Sequence, residues 1–348
     1  MKIAQRIIGR DTPPFIIAEM SGNHNQSLER ALAIVDAAAD AGAHALKIQT
    51  YTADTMTIDL HEGDFVIHDQ DSLWAGQSLY TLYEQAHTPW EWHPAIFARA
   101  RERGLIPFST PFDETAVDFL ETLHPACYKI ASFEMTDLPL IRKVARTGKP
   151  LIISTGMASV AEIEATVCAA KAEGCEELAL LKCTSTYPSS PENTNLKTIP
   201  HLRQLTNCEI GLSDHTMGIG AAVAAVAFGA SIIEKHFTLS RAEGGVDSVF
   251  SLEPDELKAL VQESERAWLA IGQVRYGTNS ESENQSLAFR RSLYAVRDIP
   301  AGETLTLDNV RAIRPGFGLS PKHLDVCLGK IARQAIKRGT PIAWNLLI

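Results

Sequence analysis

The chain has 348 residues, 45% of them hydrophobic and 21% charged, the composition of a globular protein with a sizeable core. Lys and Arg number 32 against 42 Asp and Glu, and the net charge of −10 excludes a basic footprint for nucleic acid or an anionic membrane. At about 150 residues per domain the length predicts two domains or one large α/β barrel with an appendage, and no apolar run approaches the ~18 residues of a membrane-crossing helix.

The opening residues Met1-Lys2-Ile3-Ala4-Gln5-Arg6 lack the charged and apolar regions of a secretory signal, which predicts a cytoplasmic protein. Cys127, Cys168, Cys175, Cys183, Cys208 and Cys327 form no CxxC pair and match no zinc-finger spacing. Several sit in apolar runs, so the six read as reduced core residues.

Eight short apolar runs follow in order, at 15–20, 43–50, 105–110, 127–132, 150–155, 178–184, 209–214 and 231–237. Each is too uniformly apolar for a one-faced antiparallel strand, and amphipathic stretches such as 27–41 and 160–173 separate them. Ser27 reads as a helix N-cap, and Gly42, Gly104, Gly148, Gly174 and Gly229 fall where helices should stop. Residues 51–76 show no helical period and predict a long loop over one barrel face; 79–103 predicts a helix interrupted near Pro89 and Pro94. Eight β-then-α units match a (β/α)8 TIM barrel over 1–272, with a doubly wound open sheet as the alternative. No GxGxxG follows the first run. Residues 273–286 are polar and aperiodic and read as a linker; 287–348 hold short β-like pieces broken by turn signals, a small β-rich domain.

A TIM barrel builds its active site at the C-terminal ends of its strands. Those positions here carry Glu19, then Lys47 and Gln49, then Thr110, and then Lys129, Ser132 and Glu134. Ser154 follows, then Lys182 with Ser185 and Tyr187, then Ser213 and His215, and last Glu234, Lys235 and His236. Four lysines in apolar strands, interleaved with Ser and Thr, point to a phosphate or carboxylate site, the bland reading being salt bridges such as Lys235 to Glu234. His215 and His236 on adjacent strands could form part of a divalent-metal site, or could simply be satisfied polar histidines. Glu19 and Glu134 suit general acid–base work or a sugar hydroxyl, with a structural salt bridge as the alternative.

The segments IAEMSGNHN (17–25), KIQTY (47–51), FSTPFD (108–113), YKIASFE (128–134), GLSDHT (211–216) and IEKHFTL (233–239) resemble the sialic acid synthase family. ISTGM (153–157) and LKCTSTYP (181–188) agree, and RRSLYAVRDIPAGETLT (290–306) with IRPGFGL (313–319) looks like that family's antifreeze-like SAF domain. The resemblance implies condensation of phosphoenolpyruvate with an N-acetylated amino-sugar aldehyde to a nonulosonic acid. The stretches TYTADTMTID (50–59), WAGQSLYTLYEQAHTPWEWH (74–93) and ASFEMTDLPLI (131–141) are similar to the family's pseudaminic branch rather than its sialic or legionaminic branches. That branch's sugar is 2,4-diacetamido-2,4,6-trideoxy-L-altrose. Carried over by motif, the metal ligands are His215 and His236, for manganese, magnesium or cobalt. Phosphoenolpyruvate falls to Lys47, Thr110, Lys129, Ser132, Ser154, Lys182, Tyr187 and Ser213, while Glu19, Gln49, Glu134 and Asp247 face the sugar and reacting carbons. Ser185 stands where many relatives carry asparagine, and Arg314 matches an arginine that reaches a partner subunit's barrel. A domain-swapped homodimer is therefore expected, and the 14 residues of 273–286 could span about 45 Å. Two other classes compete on the residues alone: a Schiff-base aldolase using a strand lysine, and a non-catalytic carbohydrate-binding protein.

Overall fold

A computed structural model describes residues 1–69 and 72–348, and the chain divides into two compact units, Met1–Gly272 and Gln273–Ile348. In the first, eight parallel strands close into a barrel: β1 (Phe15–Glu19), β2 (Ala45–Thr50), β3 (Ile106–Pro111), β4 (Tyr128–Ile130), β5 (Leu151–Ser154), β6 (Leu178–Cys183), β7 (Glu209–Asp214) and β8 (Ile232–His236). Closure comes from β8 pairing with β1, His236 opposite Glu19. The open-sheet alternative is thereby excluded.

Strand alternation sends successive side chains to opposite sides of the wall. Phe15, Ile17, Phe108, Ile152, Leu181 and Ile232 fill the lower interior, while Ile16, Leu46, Ile130, Ile153, Leu180 and Ile233 pack outward against the helices. Gly211 is required by this packing, because a Cβ there would lie 2.3 Å from the Ile232 carbonyl oxygen. A hairpin of Lys2–Ile3 and Arg6–Ile7, which the sequence reading did not anticipate, adds Ile3 and Ile8 to the same interior cluster. The two-residue strands are too short to show a period.

The helix Leu28–Asp40 starts at Ser27, whose hydroxyl accepts from the Arg30 amide at 3.2 Å. All five helix-stop glycines adopt positive φ. Residues 79–103 split into Leu79–Ala86 and His93–Glu102 around a single 3-10 turn; Pro94 lies in the first turn of the second helix, where a missing N–H costs nothing, and does not interrupt it. The loop expected over 51–76 contains only the short helix Ala53–Met56 and one 3-10 turn among its described residues; Gln70 and Asp71 lie outside them. Five cysteines are buried, but Cys168 is exposed.

In the second unit β9 (Ser292–Ala295) pairs antiparallel with β10 (Val310–Ile313), over a core that includes Leu293, Ile299, Leu305, Ile336 and Ile342. The aperiodic stretch 273–286 holds a one-turn helix, Glu281–Gln285. Ser280 accepts from the Glu283 amide and Glu283 from the Asn279 amide, so local capping supplies what hydrophobic period lacks. Among the described residues, no helix is long and apolar enough to cross a membrane.

Candidate active site

The inward positions at the upper ends of the strands are polar, and their side chains form one connected, buried network. Lys47 Nζ lies 2.9 Å from Glu19 Oε2 and donates to Thr110 Oγ1 at 3.2 Å. Gln49 Nε2 donates to Glu19 Oε1 at 2.9 Å and to Ser21 Oγ at 3.1 Å. Lys129 Nζ donates to Ser154 Oγ at 2.7 Å. Glu234 Oε1 sits between the two ammonium groups, 3.6 Å from Lys47 and 3.8 Å from Lys129, and accepts from Ser213 Oγ at 3.2 Å.

Two lysines facing two glutamates settle which charge states persist. Burial works against the Lys47 ammonium, but Glu19 and Glu234 outweigh it and hold its pKa above the ordinary value. Burial raises the Glu19 carboxyl, with Lys47 opposing and Glu234 adding to the push. Glu234 is drawn up by burial yet held below its usual range by Lys129 and then Lys47. Lys129 has no carboxylate closer than Glu234, and burial pulls it down. Lys47 is engaged by Glu19, Thr110 and Glu234, while Lys129, with N–H groups on Ser154 and the Ile130 carbonyl, keeps one for an anion.

Above this floor the rings of His215 and His236 lie 5.3 Å apart, with Tyr187 4.5 Å from His215. His215 Nδ1 donates to the Thr184 carbonyl at 2.9 Å, which leaves Nε2 as the ligating atom; burial opposes its charge, but Cys183 and that carbonyl outweigh it and hold the pKa above the ordinary value. His236 Nδ1 is buried without a hydrogen-bond partner among the described residues; Asp247 Oδ2, at 3.7 Å, is too distant. Burial first, then His215 and the lysines, hold His236 well below its usual pKa, in the neutral form a ligand requires. The two imidazoles fit half of a divalent-ion site, His236 as a neutral ring and His215 on release of its Nε2 proton to the ion. Among the described residues no group of three or more His, Cys, Asp or Glu completes it, so water or substrate oxygen would have to.

Glu134 overhangs the opening, and burial raises its carboxyl to about 7. Its Oε2 is buried and has no partner among the described residues. Asp247, raised by burial, accepts from the Ser21 hydroxyl. Ser132 Oγ is 2.8 Å from Ser185 Oγ, so Ser185 stands beside one of the candidate phosphate serines. Gly156, at φ +47°, makes this possible, since a Cβ there would stand 2.5 Å from Ser132 Cβ. A cleft of about 670 Å³ opens over these groups, and its lining includes the polar Gln49, Glu134, His236 and Asp247 and the apolar Tyr51, Met56, Ile67, Trp74, Leu82 and Phe112. Trp74 Nε1 donates to the Val246 carbonyl at 3.3 Å, tying the long loop to the β8 side.

Two expectations change. Lys182 alternates with inward-facing Leu181 and so points outward, away from the lumen, and does not join the other lysines. Lys235 also faces outward and pairs with Asp214 at 2.8 Å, not with its neighbour Glu234, which strand alternation sends inward. Glu234 lies in the lumen, two residues before His236 on the same strand, and the alternative of a Lys235–Glu234 salt bridge falls. Arg314 is exposed in the second unit, on the loop after β10.

A closed barrel with this rim is an enzyme that handles an anionic substrate. The chain belongs to the NeuB family, whose model matches residues 34–276, and residues 290–348 match the SAF domain. It is 46% identical over 329 residues to a pseudaminic acid synthase of Campylobacter jejuni, covering 94% of this chain and 95% of that protein. It is 41% identical to a pseudaminic acid synthase of Helicobacter pylori, covering 95% and 97%. A crystal structure of the N-acetylneuraminic acid synthetase of Leptospira borgpetersenii in complex with citrate is similar at a TM-score of 0.73 and 32% identity, covering 82% of this chain and 94% of that one.

Proposed function

We propose that this chain is a pseudaminic acid synthase that condenses phosphoenolpyruvate, 2,4-diacetamido-2,4,6-trideoxy-L-altrose and water to pseudaminic acid and phosphate. The near full-length likeness to two relatives of that name carries the reading. The apolar wall of the cleft supports it, because a 6-deoxy sugar ends in a methyl group that gains from leaving water.

Lys47, Lys129, Thr110, Ser132, Ser154, Ser213 and Tyr187 hold the phosphate and carboxylate of phosphoenolpyruvate by charge-assisted hydrogen bonds. Glu19 and Gln49 orient the open-chain sugar so that its aldehyde faces C3 of phosphoenolpyruvate. His215 and His236 would hold a divalent ion, manganese in the first instance, which when bound supplies Lewis-acid polarisation of the aldehyde oxygen. C3 attacks the aldehyde, water adds at C2, and the C2–O bond to phosphate breaks. Glu134, with a pKa near neutrality, exchanges a proton with that water, and Asp247 fixes its approach. Lys47 and Lys129 balance the departing phosphate. Lys47, held protonated between two carboxylates, is a poor amine nucleophile, which disfavours a Schiff-base aldolase at that lysine. The working unit in this reading is a cytoplasmic homodimer in which each SAF domain offers Arg314 to its partner's barrel.

The test is product analysis with phosphoenolpyruvate carrying 18O in the C2–O–P bridge. The proposal requires a nine-carbon acid and label retained in phosphate. Label in the acid would refute C–O cleavage.

A further inference from the structure

A second cavity, of about 470 Å³, lies behind β5 and β6 and is lined by Thr155, Gly156, Lys182, Lys197, Thr198 and His201 among others. Among the described residues no aspartate or glutamate lines it. Lys182 is nine-tenths buried. Its ammonium donates to the Cys183 carbonyl at 3.0 Å and to Thr184 Oγ1 at 2.8 Å, which accounts for two of its three N–H groups. No carboxylate forms an ion pair with it among the described residues, and burial draws its pKa down. Lys235 makes the contrast plain. It too faces outward from a strand end, and there Asp214 supplies the counter-charge at 2.8 Å. A buried ammonium without a counter-charge is costly, so Lys182 calls for an anion that the chain does not provide.

Lys197 precedes the helix Thr198–Thr206, which has no side-chain cap, and His201 stands one turn further on. Lys197 and His201 are exposed and line the same cavity as Lys182. The backbone at Gly156 separates this space from the lumen, since its missing Cβ would press on Ser132 and Ser185. We propose that the cavity is a second anion site, built for a phosphate group held by Lys182, Lys197 and His201 with the Thr198 hydroxyl completing the shell. Two lysines with a histidine and a hydroxyl donor suit a multiply charged tetrahedral oxyanion. The inference does not depend on the activity proposed above.

Calorimetric titration of the full chain with orthophosphate, and separately with glycerol 1-phosphate, tests it. The wild type should bind two equivalents of orthophosphate. Lys197→Gln with His201→Gln should weaken one equivalent tenfold or more and keep the other, with turnover in phosphate-free buffer unchanged. Lys129→Met should show the reverse, losing the lumen equivalent alone. A parallel response to glycerol 1-phosphate would identify phosphomonoesters as ligands, and a response to orthophosphate alone would identify the free ion. Phosphate binding indifferent to the double substitution would overturn the proposal, however many equivalents the wild type takes. A chain inactive with phosphoenolpyruvate but binding two phosphates would overturn the functional reading and leave this one standing.

Discussion

Replacing Lys129 by Met keeps most of the buried stem and removes the charge, which isolates the electrostatic role of this lysine. In the structure Lys129 gives one N–H to Ser154 at 2.7 Å and one to the Ile130 carbonyl at 3.1 Å, so one remains for a ligand. A charge-assisted contact of that kind is worth about 1.5–3 kcal/mol, or roughly 10- to 150-fold in affinity. Two effects compete with it. Glu234 loses one of its two cationic neighbours, and breaking a buried pair costs about 3–5 kcal/mol when the remaining charge is left alone. Here Lys47 stays 3.6 Å from Glu234 and Ser213 still donates, so the low end, about 3 kcal/mol, applies and Tm should fall by roughly 6–12 °C. Binding measured at 20 °C below that Tm separates the two effects. Phosphoenolpyruvate should bind 10- to 150-fold more weakly, while the sugar should change less than threefold. Equal losses for both substrates, or none for either, would show that Lys129 is only structural.

His215→Ala and His236→Ala should each abolish turnover with little change in the far-UV spectrum, and full activity of either in chelated buffer would remove the metal assignment. Glu134, raised from 4.5 to about 7, favours the folded protein in its protonated form. Its contribution is complete below pH 4.5 and lost as pH rises through 7. Glu134→Gln should therefore be more stable than wild type above pH 7, by up to about 3 kcal/mol, with the gap closing toward pH 4.5 in denaturant titrations; a constant difference would contradict the burial argument. Borohydride added with either substrate should leave the enzyme active, and inactivation would indicate a Schiff base. Mixing His236→Ala with Arg314→Ala chains should restore activity after subunit exchange, and mixed dimers without activity would show that each SAF domain serves its own barrel.

The barrel was legible because uniformly apolar runs of strand length alternate with helical periods, and five glycines mark helix stops. The lumen was legible where strand ends are chemically mixed, as in Lys47-Ile48-Gln49 or Lys129-Ile130. In β6 the run Leu178-Ala-Leu-Leu-Lys-Cys183 is apolar on both faces, so nothing in it tells which side Lys182 takes; only the barrel's register does. Glu234 and Lys235 posed the same problem, and their adjacency suggested a pair that alternation forbids. The short N-terminal hairpin and the capped turn at Glu281–Gln285 rest on local hydrogen bonds, which leave no hydrophobic period to read.

The central claim is tested most directly by phosphate release from phosphoenolpyruvate in the presence of a divalent ion, with the sugar varied. The account predicts that kcat/KM with 2,4-diacetamido-2,4,6-trideoxy-L-altrose exceeds that with N-acetylmannosamine and with any other acetamido-hexose in the panel. Faster release with N-acetylmannosamine would contradict it and make this chain a sialic acid synthase.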